Sequence, residues 1–314
     1  MLFSAAPAGR PYSLKTFYEQ MSNGHLTLDG QVFPWVSAPQ TDAYYEDGCN
    51  GIGVDPAHPC SNGGRRLGEL LALALDAASH GADSVTAWSA YDNDGPDGLP
   101  NSGDDDGVVD VVTFLHADIG GECGHAHIWS HRYVVAGVNG GSPYVTRTPW
   151  AGHPGQFLKV NDYIIQSARG GATTCDATQI MPIGTVAHET GHLFGLPDLY
   201  DTDPSANATE GVGQWSLMGS GNYSKPLSPS RMDAWSLVEL GWVSVDSLSA
   251  GGTVHLDPVT SADRVAYVGV PNSAEFFLLE NRQALESDSA QMDPNLPASG
   301  TGCQTVRKSP GLLV

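Results

Sequence analysis

The stretch AHETGHLFGLPDLYD, residues 187–201, decides how the chain is read. His188 and His192 stand four apart, so on an α-helix they share one face. Two imidazoles so placed can meet on one ion at about 2.0–2.1 Å. Glu189 is the next residue, turned by about 100° from His188, which keeps it out of that ligand set. It can reach a water beside the ion, and that is the division of labour in an HExxH helix: two ligands and one base. A histidine pair at this spacing also occurs in helices that hold no metal, so the residues beyond it matter. Gly195 can end the helix in the left-handed conformation and Pro197 prevents its resumption. The reversed chain then carries Asp198 back toward the histidines as a third ligand. Asp201 or Asp233 could fill the same role, and the sequence leaves that choice open. The preceding MPIGTVA (181–187) gives the helix an apolar back.

Three protein ligands with one open position make a catalytic zinc site rather than a structural one. With Glu189 as general base, the expected chemistry is hydrolysis of an amide in a protein or peptide. The residues allow two other functions: a zinc hydrolase of a non-peptide amide or ester, and a calcium-stabilised surface module without catalysis.

The bulk numbers narrow the partners. Asp and Glu total 35 against 14 Lys and Arg, a net charge of −21. Such a surface repels nucleic acid and anionic membranes. No stretch reaches the roughly 18 apolar residues of a membrane span. Charged residues are only 16% of the chain, too few for an acidic disordered protein. A monomer is expected. Cys49 and Cys60 lie in one Gly/Pro/Asn-rich loop, and Cys123 and Cys175 in loop-like surroundings. Two bridges with Cys303 left over suit an exported protein. The N-terminal MLFSAAPAGRP lacks the basic start and apolar length of a signal peptide, so either the export information lies outside this chain or the protein is intracellular.

Along the chain, 13–22 and 65–80 carry helical spacing, while 25–36 alternates around an Asp-Gly pair and predicts strand, turn, strand. Strands are expected at 108–115, 128–138 and 161–168, and helices at 184–194 and 230–240. After about residue 246 only short strands are expected.

Asp92, Asp94, Asp97 and Asp106 belong to an acidic, glycine-broken run, 91–110, and are the candidate ligands of a structural Ca2+. His116, His125, His127 and His131 fall within 16 residues. They are read as hydrogen-bonding or surface groups rather than a second zinc site, with His131 the one expected to face the cleft.

HETGHLFGLPD fits HExxHxxGxxD, a variant of the metzincin zinc motif in which Asp replaces the usual third His. GVGQWSLMGSGNY (211–223) resembles the Met-turn region, and SPSRMDAWSLVELGWV and FFLLENRQ resemble segments that follow it in immune-inhibitor-A-like metallopeptidases, the M6 family. YDNDGPDG and IWSHR are similar to upstream segments of that family. The resemblance implies a secreted bacterial zinc endopeptidase with calcium. Its fold class would be α/β (α+β), a zincin-type catalytic domain with a mixed sheet and an active-site helix over 1–245. An incomplete β-rich segment would occupy 246–314. It also implies that Met218 floors the metal site, and Tyr223 becomes a candidate cleft residue. Relatives carry a prosegment and further β-structure, so the chain is expected to be a fragment.

Overall fold

The computed structural model describes residues 2–52, 59–80, 88–124, 127–203, 209–249, 251–259, 262–283 and 311–314. The chain forms two compact units, one of residues 1–31 with 182–314 and one of residues 32–181. In the first unit, helix α1 (Leu14–Met21) starts where the Ser13 hydroxyl accepts the Thr16 amide N–H and the Thr16 side chain answers the Ser13 backbone. This reciprocal cap satisfies amide groups that a helix start leaves without partners. Leu14, Phe17, Tyr18 and Met21 are buried, as their helical spacing predicts.

The second unit begins with α2 (Asp42–Tyr45) and α3 (Arg65–His80). Leu67, Leu71 and Leu75 recur every four residues, form one face of α3 and are fully buried. Their burial contributes roughly 1.5–3 kcal/mol each. They pack on Val109, Leu158, Val160, Tyr163 and Ile165, which come from strands β1 (Val108–Val109), β5 (Phe157–Val160) and β6 (Asp162–Ser167). Strands β2 (Val112–His116), β3 (His131–Val134), β4 (Tyr144–Pro149), β7 (Arg169–Gly170) and β8 (Asp176–Ile180) and helix α4 (Val135–Val138) complete this unit. Two three-stranded sheets, ordered β1-β5-β4 and β2-β6-β3, each join one parallel and one antiparallel pair. Gly68 lets α3 pass close to α4, because a Cβ there would collide with the Val138 carbonyl. Disulfides Cys49–Cys60 and Cys123–Cys175 both form within this unit. Cys303 lies outside the described residues.

The first unit resumes with α5 (Gly184–Leu193), α6 (Asn222–Ser224) and α7 (Ala234–Glu239). A four-stranded sheet ordered β12-β11-β10-β9 follows, made of β9 (Ser244–Ser247), β10 (Arg264–Gly269), β11 (Phe276–Arg282) and β12 (Gly311–Leu313). The molecule is thus mixed α/β, with several small sheets and few helices.

Three expectations change. Residues 25–36 form no strand: Val32 and Trp35 are about two-thirds exposed, and Pro34 removes a ladder donor. Alternation alone does not make a strand without a partner edge. Residues 128–138 divide into β3 and the short helix α4. Residues 251–259 form an extended segment with a single bridge, Pro258 to Asn281.

Candidate metal centre

Helix α5 carries His188, Glu189 and His192, and the first two are buried. It ends as its sequence predicts. Gly195 has φ +85°, and its amide donates to the His192 carbonyl at 3.1 Å. The turn brings Asp198 back: its Oδ1 is 3.1 Å from His188 Nε2 and 3.4 Å from His192 Nε2. Three ligands of a tetrahedral zinc at about 2.0–2.1 Å stand about 3.3 Å apart, so these separations fit an ion. Asp201 and Asp233 are occupied elsewhere. Asp201 accepts the Asp203 amide at 3.0 Å, while Asp233 caps α7 and accepts the Ser216 hydroxyl at 2.6 Å.

The other ring nitrogens are fixed by backbone. His188 Nδ1 donates to the Leu217 carbonyl at 2.7 Å, and His192 Nδ1 to the Leu196 carbonyl at 2.8 Å. A carbonyl can only accept, so each Nδ1 carries a proton and both Nε2 atoms are turned toward Asp198, where they donate to it when protonated and could offer a lone pair to an ion when neutral. Burial opposes the charged form of Asp198, but hydrogen bonds and charge from His188 and His192 win and hold its carboxyl below the ordinary range. Burial also works against His192 protonation, yet the Asp198 hydrogen bond and the Leu196 carbonyl raise its pKa on balance.

The turn around Met218 supports this group from behind. Met218 is fully buried against α5 at Gly191, where a Cβ would collide with Met218 Sδ. The Met218 carbonyl accepts the Leu199 amide at 2.9 Å, so the turn that orients His188 also holds the residue after Asp198. Arg282 fixes the turn's flanks, donating to the carbonyls of Trp215 at 2.7 Å and Arg231 at 3.0 Å, and it pairs with Glu280 at 2.7 Å. The Tyr18 hydroxyl also braces α5, donating to the Ala187 carbonyl at 2.6 Å.

Tyr200 is a neighbour that the motif did not single out. Its ring lies 6.5 Å from that of His188, with 20° between the planes. Burial first, then the charge of Asp198 and a hydrogen bond to it, push its pKa well up. The available signal was its place two residues after Asp198. Tyr223 is 45% exposed in α6 and near enough to bear on Tyr200's ionisation. His131 belongs to the other unit, with both ring nitrogens engaged: Nδ1 with the Trp129 carbonyl at 2.7 Å and Nε2 with the Tyr163 hydroxyl at 3.0 Å.

In the acidic run, Asp92, Asp94 and Asp106 come together, each offering an oxygen within 4.8 Å of the others. Asp97 does not join them; its carboxylate accepts the Leu99 amide at 2.7 Å. Asp92 is fully buried and neither of its oxygens has a hydrogen-bond partner among the described residues. Burial, and then the charges of Asp105, Asp106, Asp94 and Asp110, push its pKa up to about 6. Gly95 lets the loop close over this group, since a Cβ there would meet Asp105 Oδ1 at 2.8 Å.

Comparison with known proteins gives a family. The family model described as immune inhibitor A peptidase M6, catalytic domain, matches residues 2–245. Immune inhibitor A of Bacillus thuringiensis subsp. alesti is 29% identical over 247 residues, which is 74% of this chain and 32% of that protein. The pre-pro-metalloprotease PrtV of Vibrio cholerae serotype O1 (strain M66-2) is 30% identical over 250 residues, 75% of this chain and 24% of that protein. The matched part thus spans about a third or less of each relative's length. The extent of the family match leaves one assignment: this chain belongs to the immune inhibitor A family of M6 peptidases.

Proposed function

We propose that the chain is the catalytic part of a secreted zinc endopeptidase that cleaves peptide bonds in proteins. The observation that carries this reading is the convergence of His188 Nε2, His192 Nε2 and Asp198 Oδ1 on one point, with both Nδ1 atoms held by backbone carbonyls. Two imidazoles and one carboxylate are a donor set suited to zinc. Zinc held there would polarise a substrate carbonyl and lower the pKa of a bound water. Glu189, one step along α5 from His188, would take the proton of the attacking water and pass it to the leaving amine. Met218 would set the depth of the site from below, through Gly191.

The family match over 2–245 supports a catalytic region of 1–245, with the β-rich segment 246–314 after it. Two disulfides support an oxidising, extracellular location. Asp92, Asp94 and Asp106 would hold a structural Ca2+, which the buried, unpartnered Asp92 carboxylate supports. The test of the main reading is Glu189→Ala: zinc content stays at the wild-type level while casein cleavage falls by at least about a hundredfold. Full cleavage by a zinc-loaded variant contradicts the proposal.

A further inference from the structure

His116 is the least satisfied polar side chain in its surroundings. It ends β2, is 91% buried, and neither ring nitrogen has a hydrogen-bond partner of ordinary geometry among the described residues. The Ile128 backbone comes near enough to bias the ring but does not meet that geometry. A buried imidazole left this way keeps its full desolvation penalty, so native structures rarely hold one without a reason.

The reason is in what faces it. His116 Nδ1 stands 4.0 Å from Asp42 Oδ1. The other oxygen of Asp42 is 2.9 Å from His127 Nδ1, and that same nitrogen is 3.8 Å from Asp118 Oδ2. Asp42, Asp118 and His127 each offer a ligand atom within 4.8 Å of the others. Ligands of a tetrahedral ion at about 2.0–2.1 Å are about 3.3 Å apart. The 2.9 Å separation lies inside that value and the 3.8 and 4.0 Å separations outside it, so His116, at the edge of the three-residue group, and Asp118 would each close in by roughly half an ångström on an ion.

We propose that Asp42, His116, Asp118 and His127 form a second divalent-metal site, of the closed four-ligand kind that takes zinc. Two imidazole nitrogens with two carboxylates favour a borderline transition ion over Ca2+ or Mg2+, whose sites are built from oxygen. With all four positions supplied by protein, the ion has a structural role. It ties the start of α2 to the end of β2 and to the loop after it, the loop that the Cys123–Cys175 bridge also anchors. The partly exposed side chains of His127 and Asp118 give the ion its entry side. The proposal stands apart from the reading of the His188 group, which shares no residue with it.

The test uses the full chain carrying His188→Ala and His192→Ala, which removes the first donor set and with it autolysis. After zinc loading and gel filtration it retains one zinc per chain, and zinc raises its melting temperature by about 5 °C. X-ray absorption of the loaded protein shows a first shell of two imidazole nitrogens and two oxygens. Adding His127→Gln and Asp118→Asn abolishes the retained zinc with the circular dichroism unchanged. A natively folded double variant that retains no zinc overturns the proposal. So does retained zinc with a first shell of oxygens alone. The absorption measurement alters no residue of the site, so it decides the matter even where the fourfold variant does not fold.

Discussion

The Leu217 carbonyl accepts the His188 Nδ1 proton at 2.7 Å, and through that bond the turn around Met218 sets the direction of a candidate metal ligand. The next carbonyl, that of Met218, accepts the Leu199 amide at 2.9 Å, beside Asp198. One turn of chain therefore aims two of the three donors. The third, His192, is aimed from within its own helix exit, by Leu196. Small displacements of the Met218 turn should therefore move the donors together.

Gly191→Ala tests that coupling. The new Cβ meets Met218 Sδ, and a fully buried thioether has little room to retreat. Overpacking of this kind costs about 1–3 kcal/mol. The expected result is a lower melting temperature together with weaker zinc retention on dialysis. Lower stability with unchanged zinc retention would show that Met218 supports the helix without setting the donors.

Asp198→Ala separates the third donor from the pair. Its carboxylate lies within 3.4 Å of both Nε2 atoms, and the two other acids that the sequence offered for the role, Asp201 and Asp233, already serve a local turn and a cap. Zinc affinity is expected to fall by at least about a hundredfold, with helix content unchanged by circular dichroism. A variant that holds zinc as tightly as the wild type would reassign the ligand.

Tyr200→Phe removes only the hydroxyl, which stands close enough to Asp198 to bear on its own ionisation, and keeps the ring beside His188. Partners behind a metal ligand typically contribute about 10–100-fold to affinity. A loss of zinc affinity near the lower end of that range is expected, measured by competition with a chromophoric chelator. A peptidase rate that falls while zinc affinity holds would instead place the hydroxyl on the substrate side.

Helix α5 and its exit toward Asp198 were legible because their information is local. The spacing of His188, His192, Gly195 and Asp198 lies within eleven residues and rests on helix geometry and one left-handed glycine, which the structure shows at φ +85°. The leucine face of α3 was legible for the same reason. Residues 25–36 misled, because alternation says which face a strand would bury but not whether an edge exists to pair with it. Asp97 was equally close in sequence to its acidic neighbours, yet a bond to the Leu99 amide two residues on takes its carboxylate away from them. The Asp42–His127 pairing was out of reach: 85 residues separate the two, and only the folded second unit brings them to 2.9 Å.

Asp92 gives the pH prediction. Its folded-state pKa of about 6 lies above the ordinary 3.8, so between those values the folded protein binds more protons at this group than the unfolded chain does. Stability from this source is full below about pH 4 and is lost as pH rises through about 6. The comparison that isolates the group is wild type against Asp92→Asn without calcium, melted from pH 4 to pH 7. The variant should gain on the wild type across that window, because it has no buried charge to form. Calcium should close the gap from the wild-type side alone, and most strongly above pH 6, where ion and proton no longer compete for the carboxylate. A wild type whose disadvantage does not grow with pH, or whose melting does not respond to calcium at pH 7, would mean that the buried carboxylate is satisfied by some other means than a cation.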